Sequence, residues 1–412
     1  MTERIEIAII GAALNGLAAA LALAGQQALR PAHVMLIDGK DPRRFANSAF
    51  DGRASAITAS SRRMFEALGV WGAIAPNAQP VTRIVVTDTA AGDPVRPTLL
   101  QFGDAEPQGA PSAYIVENRH LYATLFEAVE ASPRITLLPN TQIASFGFGK
   151  GPARLETDDN RTILAELVIA ADGRNSPARE AAGIKTTGWA YGQTGIVTAV
   201  EHDLPHEGCA EEHFRPAGPF AILPLPGNRS SLVWTETSAT AQQLLALSDQ
   251  DFLVELMARF GHHRGAVSLI GPRHGYPLSL FIAERFIGPR LALLGDAAHV
   301  VHPIAGLGLN LGLRDAAALA EAVARARYLG LDIGSDATLT QYSQWRRFDT
   351  NLTALATDGL NRLFSNDLPG LRQLRDTGLK LVNLMPPLKN LFMREAAGDT
   401  GHLPKLMRGE PV

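Results

Sequence analysis

GDAAHVVHPIAGLGLNLGLRD, residues 295–315, joins a strand end, an acidic turn and a glycine-lined helix start in one run. Leu291 to Leu294 before it form a short apolar run of the kind found in buried parallel strands. Leu309 to Ala326 after it are rich in Leu and Ala and free of Pro, which predicts a helix. A ligand at the carboxyl end of that strand meets Asp296, whose carboxylate accepts hydrogen bonds from sugar or ribityl hydroxyls. Gly306 to Asn310 would present bare backbone N–H groups at a helix N-terminus. Partial positive charge there favours an anion, such as the charge a reduced flavin ring holds near N1. Asn310 is the expected N-cap, and Gly306, Gly308 and Gly312 are the expected sites of close approach to a flat ring. Taken alone, the run also fits a glycine-rich turn that binds nothing, so the remaining motifs carry the decision.

At the amino end, IEIAII, GAALNG (11–16), LAAALALAG and VMLID read as strand, glycine turn, helix and strand. Gly11 would make the tight turn and Gly16 would let helix and sheet pack closely. Asp38, 22 residues after Gly16, is placed to bind an adenosine ribose. Ala13 stands where the usual fingerprint has its middle glycine. The same stretch weighed as an export signal or membrane span fails on Glu3, Glu6 and Asn15, and cleavage would destroy the βαβ unit. A third motif, LVIAADGRNSPAR (167–179), ends a strand at Asp172 and Gly173. Asp-Gly after a strand is ordinarily a turn; its weight comes from its place in order between the other two.

Together these pieces resemble the flavoprotein aromatic hydroxylases with the para-hydroxybenzoate hydroxylase fold, and more closely their ubiquinone-biosynthesis branch. GAALNG at 11–16, DGRASAIT at 51–58, IAADGRNSPAR at 169–179 and GDAAHVVHPIAGLGLNLGLRD at 295–315 carry the likeness. VENRHLYATL at 116–125, GPFAILPLPGNRSSLVWTE at 218–236 and MREAAGDTGHLPKLMRGE at 393–410 point to the ubiquinone branch.

Position by position, the resemblance implies that Gly11, Gly16 and Asp38, with Ala13 in their turn, hold the adenosine diphosphate part of FAD. Arg53 and Arg119 would approach the pyrophosphate and ribityl region. Asp172 would meet the cofactor, and Asp296 would bind the ribityl chain. Gly306, Gly308, Leu309 and Asn310 would offer main-chain N–H groups to the pyrimidine end of the ring. Pro303 matches a proline whose carbonyl lines the reaction site. Two departures stand out: Ala13, which bears on cofactor affinity, and Leu307, where this branch has glutamine in AGQG.

The implied reaction is aromatic hydroxylation with NAD(P)H as reductant and O2 as cosubstrate, through a flavin C4a-hydroperoxide attacked by an electron-rich ring. The implied substrate is a prenylated phenol on the way to ubiquinone, within a ubiquinone-biosynthesis complex. Two other readings stay open: an oxidoreductase of the same fold that does not hydroxylate, and a non-catalytic flavoprotein subunit of such a complex.

The chain has 412 residues, 46% of them apolar, and a formal net charge of −3. That size calls for more than one core. Neither the charge nor any basic run suggests nucleic acid as partner. One cysteine, Cys209, excludes an intrachain disulfide and fits a strand position; cytoplasmic localisation is expected. His299 and His302 follow Asp296 at three-residue steps, but an extended loop would not turn them to one face, so no metal is expected. QTGIVTAVE, FAILPL, RIVVTD (83–88) and RLET (154–157) read as strands, with a hairpin at 147–152.

The resulting expectation is an α/β fold. A discontinuous Rossmann-like FAD-binding domain spans 1–80, 106–182 and 285–335. An inserted antiparallel β-sheet substrate domain spans 81–105 and 183–284, and a C-terminal helical region spans 336–412. Residues 361–412 carry eight Lys plus Arg against five Asp plus Glu, a surplus of three positive charges, beside apolar LVNLMPPLKNLFM. Two readings apply there: a peripheral membrane contact at the inner face, or helix packing by Leu381, Leu384, Leu388, Leu391 and Phe392.

Overall fold

The computed structural model describes residues 2–25, 28–46, 48–88, 98–103, 111–365 and 397–412. Its first sheet has eight strands, with Ile287–Gly288, Leu291–Leu293, Thr162–Ala170, Thr2–Ile10, Val34–Ile37 and Ile135–Leu138 side by side. The hairpin strands Ile143–Gly147 and Ala153–Thr157 are added at Thr162–Ala170. The central pairings are parallel: Thr2–Ile10 lies between Thr162–Ala170 and Val34–Ile37, and Leu291–Leu293 pairs with Thr162–Ala170. Parallel strands are covered on both faces, so Ile7 to Ile10, Val34 to Ile37 and Leu167 to Ala170 are continuous apolar runs and buried. Against this sheet pack the Ala- and Leu-rich helix Leu14–Ala24 and the helix Leu307–Tyr328, which touch each other.

The second sheet has nine strands and is mostly antiparallel. Its longest strand, Thr186–His202, pairs with Arg229–Thr237 on one side and His274–Ala283 on the other. One pairing departs from the antiparallel expectation: Cys209–Phe214 runs parallel to Arg83–Asp88. Strand alternation gives this sheet two faces. One carries Ile196, Val200, Phe220, Ile222, Leu232 and Trp234 against Phe252, Leu256 and Phe260. The other carries Ala199, Ala210 and Leu225 against Phe50, Ala54 and Ala56. His299–Val300 pairs with His274–Ala283, so the segment leading to the glycine-lined helix joins the second sheet directly. Three further strands, Ala54–Thr58, Ala113–Glu117 and Ala78–Val81, form a small sheet.

The helix expected over Leu309 to Ala326 starts two residues earlier and ends two later. After it comes the helix Asp336–Phe364, capped by Ser335, whose hydroxyl accepts from the N–H of Thr338. The residues on which helix packing or membrane contact in the tail was expected, Leu381 to Phe392, lie outside the described residues. Residues 397–412 close back on the first sheet's side. There Leu406 and Met407 are buried, and Arg63 donates to the carbonyl of Met407. Among the described residues no helix is long and apolar enough to cross a membrane.

Candidate cofactor site

The amino-end turn is built by sterics. Gly11 has φ +102°, and a Cβ there would overlap the carbonyl of Ala171; a Cβ on Gly16 would overlap the carbonyl of Gly11. The N–H of Gly11 donates to Ile37 O (2.8 Å) and that of Ala12 to Asp38 Oδ2 (2.7 Å), while Lys40 N donates to Asp38 Oδ1 (2.9 Å). Asp38 therefore ties the turn to the next strand end; a carboxylate accepts about four hydrogen bonds, which leaves room for a ribose hydroxyl. Ala13 sits at the N-cap of Leu14–Ala24, exposed, and no side chain caps that helix. An uncapped start of this kind has the donors and the partial positive charge that suit an anion.

Asp172 follows the neighbouring strand, against the Gly11 turn. One of its oxygens accepts from the N–H of Ala178 (3.3 Å) and the other is buried without a partner, and burial pushes the carboxyl up. Asp296 stands at the end of the next parallel strand. It is exposed, yet the surrounding protein desolvates its carboxyl and pushes it up, against the pull of His299 and Arg174. Asp38, Asp172 and Asp296 thus occupy the carboxyl ends of three strands of one parallel sheet, the place where open α/β sheets bind ligands.

At the second helix start the structure corrects three expectations. Gly306 is the N-cap, in the left-handed conformation with φ +64°, and Asn310 lies inside the first turn instead of capping it. Asn310 is buried and spans two elements. Its Nδ2 donates to Ala56 O (2.7 Å) and Gly306 O (3.0 Å), and its Oδ1 accepts from Thr58 N (3.1 Å). Gly312 does not serve close approach to a ring: a Cβ there would run into the amide of Asn15, as would one on Gly295. At Gly308 nothing lies within 4 Å of the position a Cβ would take. Gly306 N–H, expected to face a ring, instead donates to Pro303 O (3.0 Å), and with no side-chain cap the helix start leaves the N–H groups of Leu307, Gly308 and Leu309 without intrahelical acceptors.

Arg53 and Arg119 are held by carboxylates on their own segments. Arg53 Nε donates to Asp51 (2.7 Å), and this pairing raises the guanidinium's affinity for its proton. Tyr122 stands between it and the amino-end turn: burial pushes its hydroxyl up, and the charges of both Arg53 and Asp38 reach it. Arg119 and Arg229 share the buried carboxylate of Glu117 (2.7 and 2.8 Å), and both guanidiniums lie over the ring of Phe50.

A buried charged group under the acidic turn escaped the sequence reading. Asp315 accepts from Gly295 N (3.0 Å), pairs with His299 (2.7 Å) and takes Arg346 Nε (2.7 Å). Burial alone would raise its carboxyl, but His299 and Arg346 hold it below the usual range. Tyr342 donates to Leu293 O (2.6 Å) beside it. The sequence signal was an acid closing the run at 315, inside an apolar helix; no signal marked Arg346. His299 and His302 go separate ways, as an extended loop requires. His302 is fully buried against Tyr191, with both ring nitrogens unpartnered, and burial lowers it to about 4.

A family model described as an FAD binding domain matches residues 4–350. The chain belongs to that family. Its two uncapped helix starts, the bare approach at Gly308 and the unpartnered oxygen of Asp172 fit the pyrophosphate, ring and hydroxyls of FAD. Among relatives of this FAD-binding chain, ubiquinone hydroxylase UbiL of Rhodospirillum rubrum is 44% identical over 99% of this chain and 93% of its own. The 3-demethoxyubiquinol 3-hydroxylase of Escherichia coli is 34% identical over 95% and 98%. In fold the chain is similar to p-nitrophenol 4-monooxygenase PnpA from Pseudomonas putida, with a TM-score of 0.76 at 21% identity over all of both chains. Klebsiella pneumoniae HpxO, solved with FAD, has a TM-score of 0.73 at 17% identity over 96% and 99%.

Proposed function

We propose that this chain is an FAD- and NAD(P)H-dependent monooxygenase that hydroxylates the aromatic ring of a prenylated phenol in ubiquinone biosynthesis. One atom of O2 enters the ring and the other leaves as water, with two electrons from NAD(P)H. The observation that carries the reading is the open, uncapped start of the helix Leu307–Tyr328 beside Pro303, where the parallel sheet meets the second sheet through His299–Val300. The 44% identical ubiquinone hydroxylase supports the choice of substrate.

Bound FAD supplies the redox chemistry; the chain's residues bind, orient and exclude water. Gly11, Ala13, Gly16 and Asp38 take the adenosine diphosphate part, with Arg53 and Arg119 toward the pyrophosphate and ribityl region and Asp172 and Asp296 on the hydroxyls. The N–H groups at Gly308 and Leu309 hold negative charge at the pyrimidine end, next to Gly306 and Asn310, whose own N–H groups are used inside the turn, Gly306 donating to Pro303 O (3.0 Å), and the Pro303 carbonyl lines the reacting side. In this reading residues 1–80, 106–182 and 285–335 carry the cofactor, 81–105 and 183–284 shape the substrate side, and 336–412 are the C-terminal region. A prenyl tail also implies peripheral contact with the membrane and work within a biosynthetic complex.

Purified protein should be yellow, and a prenylphenol should accelerate its NAD(P)H oxidation and gain one oxygen. Oxidation with no oxygenated product would support the non-hydroxylating oxidoreductase instead, and a yellow protein inert to NAD(P)H would support the non-catalytic subunit.

A further inference from the structure

The face of the nine-stranded sheet that meets Phe50, Ala54 and Ala56 carries one cross-strand row: Val86, Glu212, Ala221, Val233 and Val197. Alternation places Glu212 on this face with Ala210 and Phe214. Its neighbours Glu211 and His213 point to the opposite face, where they pair with each other and Glu211 also holds His263 and Arg264. Phe214 stacks on Phe364 of the helix Asp336–Phe364, and Asn361 of that helix bonds Gln193, so the helix roofs part of the face. At the far end of the row His274 reaches the carbonyl of Asp51, two residues before Arg53.

Val86, Glu212, Val233 and Val197 are only partly buried, although each sits inside a sheet strand, so the row is left partly uncovered between the residues packed on Phe50, Ala54 and Ala56 and those under the helix Asp336–Phe364. Ala221, between Glu212 and Val233, contributes only a methyl group to the row. Within it Glu212 has no hydrogen-bond or ion-pair partner among the described residues. Burial, with nothing opposing it, pushes its carboxyl up to about 7. A lone carboxyl in apolar surroundings is costly unless something bonds it, and a flat apolar molecule with one hydroxyl meets both conditions.

The geometry points to Glu212 as the group that takes the ring hydroxyl of the phenolic substrate, with the ring lying along Ala221, Val233 and Val197. The row from Glu212 to Val197 crosses three strand spacings of about 4.8 Å each, enough for an aromatic ring and the first prenyl unit. This assignment rests on the phenol reading proposed above and adds the residue that recognises the hydroxyl.

Calorimetric titration of the FAD-loaded protein with 2-prenylphenol and with its methyl ether tests it. The wild type should bind the phenol about tenfold more tightly than the ether, the size of one desolvated hydrogen bond. Glu212→Leu should weaken phenol binding until the preference falls within about threefold, leaving the ether unaffected, whereas Glu212→Gln should retain a preference. A wild type without preference, or a Glu212→Leu protein that keeps it, overturns the assignment while leaving phenol binding intact. A wild type that binds neither compound overturns the phenol reading together with it. The wild-type preference needs no variant to fold, and FAD content of each variant reports its integrity.

Discussion

The chain has two uncapped, glycine-flanked helix starts, and they are held in different ways. The first, at residues 11–16, rests on backbone sterics and an apolar helix: Gly11 and Gly16 lie against carbonyls, and Leu14 and Leu17 to Ala24 are buried. The second, at 306–312, sits above a buried set of charges in which Asp315 joins Gly295, His299 and Arg346. The same residue type therefore does unlike jobs. At 11, 16 and 312 glycine makes room for the protein itself, and at 308 it leaves room for something else. A charged brace also makes the second start sensitive to acid in a way the first is not.

That contrast is most severely tested at Asp315. Asp315→Ala leaves His299 without its carboxylate and Arg346 with Asp349 as its remaining ion pair (2.7 Å), and should cost about 3–5 kcal/mol, read as a lowered denaturation midpoint. A loss under about 1 kcal/mol would mean that the second start, like the first, stands on apolar packing.

Acid provides the next test. His302 has a folded value of about 4 against an ordinary 6.5, so it is neutral when folded and takes up a proton on unfolding. Its contribution is complete above pH 6.5 and declines as pH falls toward 4, by up to about 3 kcal/mol. Asp315, depressed in the fold, adds a loss at lower pH, as pH falls below the ordinary carboxylate range. Stability measured against pH should slope downward through this window, and His302→Leu should flatten the part between 6.5 and 4. An unchanged slope would remove His302 from the account.

Smaller effects separate the glycines. Gly312→Ala meets the Asn15 amide and should destabilise by about 1–3 kcal/mol, with Asn15→Ala restoring part of the loss in the double variant. Gly308→Ala should change stability by no more than about 1 kcal/mol, toward gain, since alanine suits a helix better. Its methyl group would nevertheless stand where the ring approaches, and FAD affinity should fall about tenfold. If Gly308→Ala binds FAD normally, the open space at 308 is not the ring's place.

Much of this was legible beforehand. The strands at Val34–Ile37 and Thr162–Ala170, the glycine turn at 11–16 and the helix after 306 follow from apolar runs and backbone freedom, which act over a few residues. Asn310 departs from the expected N-cap because its side chain bonds Ala56 and Thr58, more than 250 residues away in the chain. No local rule for helix caps contains that partner.

From the order of residues alone came the parallel sheet, the three carboxylates at its strand ends, the family and the class of cofactor, because chain sterics and hydrophobic spacing are written along the sequence. Only the tertiary structure decided that Gly312 yields to Asn15, that Arg346 completes the charge set under Gly295, and that Glu212 sits in an apolar row with no polar partner among the described residues. Each of those depends on which polar group meets which partner across distant segments, and desolvation makes that pairing count only once the segments have come together.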